Sequence, residues 1–154
     1  IAALAGKRAI MEYLDPNSGK NRFAFHCGTL NGNIMSVEAA HTCLDILIEE
    51  GGINHLHEIG KYARDKIGNV FSDFDLNVQM AGEGPLFHPY FTNTPVRNNA
   101  DVAKCDWQTS DRLHDLLFNG GIYKPSVKAY LSMAHHEEHV DEFANILVWA
   151  LKQL

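Results

Sequence analysis

The chain repeats apolar residues with a helical period in four long segments. From Ser36 to Ile48 they recur three or four positions apart, and Gly51-Gly52 follows. That spacing puts them on one face of a helix, and glycine ends helices because it accepts left-handed backbone. The remaining segments are 53–71, 107–118 and a last one whose apolar face holds Val140, Phe143, Leu147, Ala150, Leu151 and Leu154. The pattern predicts four helices, each with a buried apolar stripe.

The middle of the chain carries a different pattern. Residues 77–81 and 86–92 hold Val, Met, Phe and Tyr on either side of Gly82-Glu83-Gly84-Pro85. This arrangement is typical of two strands joined by a tight turn. Further short strands are predicted at 122–123 and 129–133. Alone, the chain is therefore predicted to be α+β, with a short, mainly antiparallel sheet and flanking helices.

The boundaries of two other segments follow from local chemistry. Asp106 precedes the segment that begins at Trp107, and its carboxylate can cap a helix there. Near the N-terminus, residues 2–5 predict a strand edge and 7–14 a short helix that Asp15-Pro16 ends. Residues 94–104 are polar and predict a surface loop.

Composition narrows the class of protein. The 154 residues carry a net charge of −6, and the 13 Lys and Arg residues form no basic cluster. A nucleic-acid or anionic membrane surface needs such a cluster, so neither partner is expected. The three cysteines lack a C-x-x-C pair, and no apolar run is long enough to span a bilayer. A reducing, cytoplasmic compartment is predicted.

Several segments together resemble one enzyme family. Residues 1–11 and 26–33 resemble fold-type I, class III pyridoxal-phosphate (PLP) aminotransferases, the family that includes glutamate-1-semialdehyde aminomutase. Residues 101–106, 120–126 and 131–135 resemble later parts of the same family in the same order. Collinear similarity over nearly the whole chain is more specific than any single motif.

The resemblance implies a domain organisation and a missing residue. Residues 1–50 would be the end of the large α/β, PLP-binding domain, and residues 51–154 the small C-terminal domain. The lysine that carries the cofactor in this family would lie just upstream of Ile1. Lys7, a few residues later, is interpreted as a solvated lysine at a helix start. We therefore expect a fragment with no catalytic residue, inactive by itself, from an active parent enzyme. In the chain alone, the helix from Val37 to Ile48 is expected to expose its apolar surface, because its packing partners would lie in the missing part of the large domain.

One cofactor contact is expected to remain. Gly28 and Thr29 offer a hydroxyl and backbone N–H groups, and glycine lets the backbone approach a phosphate closely. The matching Gly-Thr of the family contacts the phosphate of a PLP molecule held by the other subunit. By resemblance, Gly28 and Thr29 complete the site of a neighbour across a homodimer interface.

Candidates for the substrate side are weaker, and the substrate stays open. His88, Tyr123 and Lys124 lie on predicted strands that border the active site in the family, although ordinary strand positions explain them as well. The partners implied are a small-molecule amino donor and an acceptor that is a keto acid or an aldehyde. The aminomutase reaction is an alternative, but Val127 to Tyr130 stand where that enzyme would have a glutamate. A catalytically silent interaction module is a third hypothesis.

A metal site is the chemical rival. Residues 135–139 read His-His-Glu-Glu-His, which satisfies the H-x-x-E-H pattern of inverted zinc peptidases. His135 and His139 would share a helix face, and Glu142 is a possible third ligand. Acidic residues are equally expected here as partners of the helix dipole. No metal is therefore predicted.

Overall fold

The computed structural model describes residues 4–154. The chain divides into two compact units, with the boundary between Glu50 and Gly51. Of the predicted strand edge at 2–5, residues 2 and 3 lie outside the described part, and Leu4 and Ala5 are not in a strand. The two units are described separately.

Unit 1, residues 4–50, contains two helices and long irregular connections. Helix α1 (Arg8–Met11) continues into a 3₁₀ turn (Glu12–Leu14). Together they correspond to the short helix predicted at 7–14. Helix α2 (Ile34–Glu49) begins two residues before the predicted start. Its N-cap is Asn33, whose side chain accepts a hydrogen bond from the Ser36 N–H at 3.1 Å.

The apolar face of α2 is not buried. No residue between 4 and 50 is buried, so the apolar stripe predicted from the period is exposed, as expected for this helix in the chain alone. The period was correct, but nothing in the described part of unit 1 packs on the face it creates. The apolar residues of α2 that are 40–79% exposed are Ile34, Met35, Val37, Leu44, Ile46 and Ile48.

Unit 2, residues 51–154, is built on a three-stranded antiparallel sheet with helices around it. Helix α3 (Gly52–Asp73) leads into β1 (Val78–Glu83) and β2 (Leu86–Phe91), which a tight turn at Gly84-Pro85 connects. Strand β3 (Ala129–Tyr130) pairs with the start of β2, so the strand order is β1-β2-β3. The predicted small antiparallel sheet with flanking helices is confirmed.

The remaining helices of unit 2 complete its core. They are α4 (Asn99–Val102), inside the predicted loop, α5 (Trp107–Asn119) and α6 (Glu137–Leu151). Asp106 caps α5 as predicted, accepting the Thr109 N–H at 3.0 Å. The buried core includes Ile59, Ala63, Ile67, Val70, Phe71, Phe87, Phe91, Leu113, Leu117, Val140, Ala144, Leu147, Ala150 and Leu151.

One predicted strand of unit 2 does not form. Residues 122–123 are irregular, because the Ile122 N–H donates to the Leu117 carbonyl at 2.9 Å and so closes the end of α5. That amide is not available to a sheet. The other predicted strand, 129–133, is reduced to the two residues of β3.

An ion pair joins α3 and α6 at the surface. The Asp141 carboxylate lies 2.8 Å from Lys66 Nζ and accepts a hydrogen bond from the Tyr62 hydroxyl at 2.7 Å. These two bonds hold the pKa of Asp141 below its ordinary value.

Among the helices between residues 4 and 154, none is both long and apolar enough to cross a bilayer.

Candidate functional site

Gly28 and Thr29 lie in a turn that leads into α2. The Asn31 N–H donates to the Gly28 carbonyl at 2.9 Å, and the Asn33 N–H donates to the Leu30 carbonyl at 3.2 Å. A Cβ at residue 28 would lie 2.6 Å from Asn31 Oδ1, so a larger residue there would require the exposed Asn31 side chain to move. The residues 28–33 are all exposed.

The donors of this turn suit a phosphate. Within residues 4–154, the N–H groups of Gly28, Thr29 and Leu30 donate to no backbone carbonyl. Three successive free N–H groups and the Thr29 hydroxyl are a donor set that phosphate oxygens accept readily. No acidic side chain lies between residues 16 and 37 to repel the anion. The chemistry of the turn therefore fits the phosphate of PLP.

His88 lies in the interior of unit 2. It is 5% exposed, and neither ring nitrogen has a hydrogen-bond partner. Its ring stacks on Trp107, with ring centroids 6.2 Å apart, and meets Tyr90 edge to face at 4.5 Å. Burial, and next the positive charge of Lys124, lower the pKa of His88 from 6.5 to about 4. The imidazole is therefore neutral at physiological pH.

Lys124 is half-buried near His88, whereas Tyr123 points outward. The Lys124 ammonium donates to the Pro125 carbonyl at 2.6 Å, and burial lowers the pKa of this lysine. Tyr123 is 91% exposed, with its ring 6.3 Å from that of Phe118. The structure thus brings two of the three substrate-side candidates together and leaves Tyr123 at the rim.

Two adjoining spaces meet at Lys124. The first, here named the inner cavity, has a volume of about 40 Å³ and is lined by His88, Lys124, His114 and core residues. The second, here named the outer groove, has a volume of about 290 Å³ and is also lined by Tyr123 and Lys124. Residues that line both spaces are Ile67, Phe87, Lys124, Ala129 and Phe143.

Sequence reasoning missed His114. This half-buried residue lies on α5 and lines the inner cavity, and its Nδ1 is buried without a partner. In the sequence it is one polar residue on an amphipathic helix. Only its place beside β2 distinguishes it, so no sequence signal could have found it.

The H-x-x-E-H segment has hydrogen bonds that oppose metal binding. His135 Nδ1 accepts the Ser132 N–H at 3.0 Å, and His139 Nδ1 accepts the His136 N–H at 3.1 Å. A neutral imidazole that accepts at Nδ1 carries its proton on Nε2 and has no second lone pair for a metal. Across residues 4–154, no group of three or more His, Cys, Asp or Glu residues is placed to hold a metal. The segment instead begins α6.

Comparison with solved structures identifies the fold of the chain. The chain superposes on a β-phenylalanine aminotransferase from Variovorax paradoxus with a TM-score of 0.79 at 24% identity, covering 96% of this chain and 34% of that one. It superposes on a transaminase with PLP bound with a TM-score of 0.76 at 24% identity, covering 97% and 34%. The fold is therefore that of part of an aminotransferase. No family model matches the chain.

Sequence similarity defines the relatives more narrowly. The chain is 34% identical over 145 residues to the glutamate-1-semialdehyde 2,1-aminomutase of Methanothermobacter thermautotrophicus, which covers 92% of this chain and 33% of that protein. It thus spans about a third of the length of the relative it matches. The chain is a homologue of glutamate-1-semialdehyde 2,1-aminomutases with an aminotransferase fold, and the predicted resemblance is confirmed.

Proposed function

We propose that this chain is the C-terminal part of a class III, PLP-dependent aminotransferase. The parent enzyme moves an amino group between an amino acid and a keto acid or aldehyde. The observation that carries this proposal is the match over 92% of the chain to an aminomutase, together with an aminotransferase fold over 96%. The three cysteines, all free, suit a cytoplasmic enzyme.

The role proposed for unit 1 is to hold the cofactor phosphate of a second subunit. When bound, PLP supplies the electron sink that lets bonds at the amino-bearing carbon break. The N–H groups of Gly28, Thr29 and Leu30, and the Thr29 hydroxyl, would hold its phosphate. Glycine at residue 28 leaves the backbone open to a phosphate, because no side chain covers it. The exposed apolar face of α2 supports a homodimer, in which such a face is covered.

Unit 1 and unit 2 have different proposed assignments. Residues 1–50 would end the large cofactor-binding domain, and residues 51–154 would form the small domain. His88, Tyr123 and Lys124 of the small domain would lie on the substrate side. The lysine that carries the cofactor would belong to the preceding part of the parent protein, so the chain alone would be inactive.

The aminomutase reaction is a second candidate. Its support is the name of two relatives, glutamate-1-semialdehyde 2,1-aminomutase. Against it, residues 127–130 read Val-Lys-Ala-Tyr and contain no glutamate. The products distinguish the reactions: an aminotransferase releases a keto acid from its donor, whereas an aminomutase returns an isomer of its single substrate.

The proposal is tested on the full protein encoded by the gene that contains this chain. Purified enzyme should show cofactor absorbance that changes when amino donors are added. Thr29→Ala should weaken cofactor binding about tenfold, because one hydrogen bond to a charged group is lost. Thr29→Ser, which keeps the hydroxyl, should bind normally.

A matched control is Thr42→Ala, because Thr42 donates its hydroxyl to the Glu38 carbonyl within α2. This variant should retain the cofactor fully. Equal retention by Thr29→Ala and Thr42→Ala would remove the phosphate role of Thr29. A full-length protein without any amino-transfer activity would overturn the proposed function itself.

A further inference from the structure

The inner cavity contains an unusual set of unpartnered polar atoms. Both ring nitrogens of His88 and the Nδ1 of His114 are buried without a hydrogen-bond partner in residues 4–154. His88 is 5% exposed and lies in a core that is otherwise apolar. Buried polar groups in proteins almost always have partners, so these nitrogens indicate a ligand or ordered water.

The charged side chain that lines the inner cavity is positive. Lys124 lines it, and no Asp or Glu residue does. Among the ion pairs within residues 4–154, none includes Lys124, whose ammonium donates only to the Pro125 carbonyl. A half-buried ammonium without a counter-ion, beside a neutral imidazole that can donate one N–H, is complementary to an anion.

The dimensions of the two spaces point to an organic acid. About 40 Å³ in the inner cavity exceeds the roughly 10–15 Å³ that one water requires, and it suits a group of a few atoms. The outer groove adds about 290 Å³, close to the lower end of typical ligand pockets at about 300 Å³. Its apolar lining includes Ile67, Phe87, Ala129, Leu131, Val140 and Phe143.

The polar residues of the outer groove limit which anion fits. Glu142 lines it together with His135 and His139, so a second negative charge in the groove would be repelled. A ligand with one carboxylate at Lys124 and an uncharged, apolar body in the groove avoids that repulsion. Dicarboxylates are disfavoured for the same reason.

We propose that the inner cavity and the outer groove form one binding site for a monocarboxylic acid with an apolar body. The carboxylate accepts hydrogen bonds from the Lys124 ammonium and a His88 N–H, and the apolar body lies against Phe87 and Phe143. This proposal deepens the proposed function and rests on it for one step only: the bound acid is the amino acid or keto acid substrate. Binding itself does not require amino transfer.

The test measures binding of 3-phenylpropanoate to the full-length protein by calorimetry. This acid has no amino or keto group and cannot react. Its neutral analogue, 3-phenylpropanamide, should bind at least tenfold more weakly, because the charge-assisted hydrogen bonds are lost. Lys124→Gln should weaken binding of the acid by a similar factor and leave binding of the amide unchanged.

Lys128→Gln is the matched control. Lys128 is an exposed lysine on the same loop and lines neither space. Its substitution should leave both affinities unchanged. Equal binding of acid and amide to the unsubstituted protein would overturn the proposal, as would equal weakening by Lys124→Gln and Lys128→Gln, which would indicate only a general charge effect.

An NMR titration of His88 provides a readout that mere loss of packing would not move. Bound carboxylate should raise the pKa of His88, since a nearby negative charge stabilises the imidazolium. An unchanged His88 titration with acid bound would place the carboxylate elsewhere and overturn the proposal.

If amino transfer fails while 3-phenylpropanoate binds as expected, the proposed function is wrong and the proposed binding site is supported. If transfer proceeds and Lys124→Gln changes neither KM nor acid binding, the site falls and the function stands.

Discussion

Helices α2 and α6 are similar in sequence pattern and opposite in environment. They have 16 and 15 residues, and both show apolar residues with a helical period. Five residues of α6 are buried, whereas α2 has none. The difference shows that an apolar stripe identifies the face a helix must bury, but the partner that buries it lies elsewhere in the chain or in another molecule.

The partner of α6 is within unit 2. Its apolar face packs on α3 and α5, and Leu147 at the centre is 1% exposed. The corresponding face of α2 has Leu44 at 54% exposure. Unit 2 therefore has a core of its own, whereas no residue of unit 1 between 4 and 50 is buried.

The largest expected effect contrasts these two leucines. Leu147→Ala should lower the free energy of unfolding of the chain by about 2–5 kcal/mol, because it leaves a cavity in a packed core. Leu44→Ala should change it by less than about 0.5 kcal/mol, since the side chain has little to lose. Both tryptophans, Trp107 and Trp149, lie in unit 2, so their fluorescence in urea follows the unfolding of that unit.

Far-UV circular dichroism on the same samples reports the helices of both units. An unfolding curve shifted as strongly by Leu44→Ala as by Leu147→Ala would show that α2 is packed in the isolated chain. The contrast between the units would then be wrong.

Local patterns predicted the elements of this fold well and its long-range features poorly. The helix at Gly52–Asp73, the Asp106 cap and the pair β1 and β2 follow from period, capping chemistry and a Gly-Pro turn, all of which act within a few residues. The strand predicted at 122–123 failed because its first amide bonds to the end of α5. Which competing partner an amide finds is decided by tertiary structure.

The residues of the candidate site also divide into those that the sequence identifies and those that only the tertiary structure identifies. The sequence singles out His88 and Lys124, but their meeting at one cavity depends on how the segment before β3 packs against β2. His114 could not be identified, because the isolation of its Nδ1 arises from packing between α5 and the sheet. The Gly28-Thr29 turn was recognised through family resemblance, since the chemistry of a single exposed turn does not distinguish it.

A buried histidine should make unit 2 sensitive to acid. His88 has a pKa of about 4 in the folded state against 6.5 ordinarily, so below pH 6.5 the unfolded chain binds the proton more readily. The stability contributed by neutral His88 is complete above pH 6.5 and is lost as the pH falls towards about 4. The loss amounts to at most about 3 kcal/mol, at 1.36 kcal/mol per pKa unit.

The measurement is urea unfolding of the chain at several values between pH 7 and pH 4, followed by tryptophan fluorescence. His88→Phe should flatten this dependence, because phenylalanine fills the space beside Trp107 without titrating. His41→Phe is the matched control in unit 1, where His41 is exposed on α2. If His41→Phe flattened the pH dependence of stability to a similar extent, the acid sensitivity could not be attributed to His88 of unit 2.

The smallest predicted effect separates two glycines on one helix of unit 2. A Cβ at Gly60 would lie 2.1 Å from the carbonyl oxygen of Gly84 in the β1–β2 turn, whereas a Cβ at Gly68 would meet no atom within 4 Å. Gly60→Ala should therefore cost about 1–3 kcal/mol, since the turn must move away from α3. Gly68→Ala should stabilise the chain by up to about 1 kcal/mol, because alanine favours helix over glycine. Urea unfolding of the two variants gives effects of opposite sign if α3 packs directly on the turn. If both substitutions stabilised the chain, the β1–β2 turn could move away from α3 at little cost. The packing of unit 2 would then be looser at this edge than at Leu147.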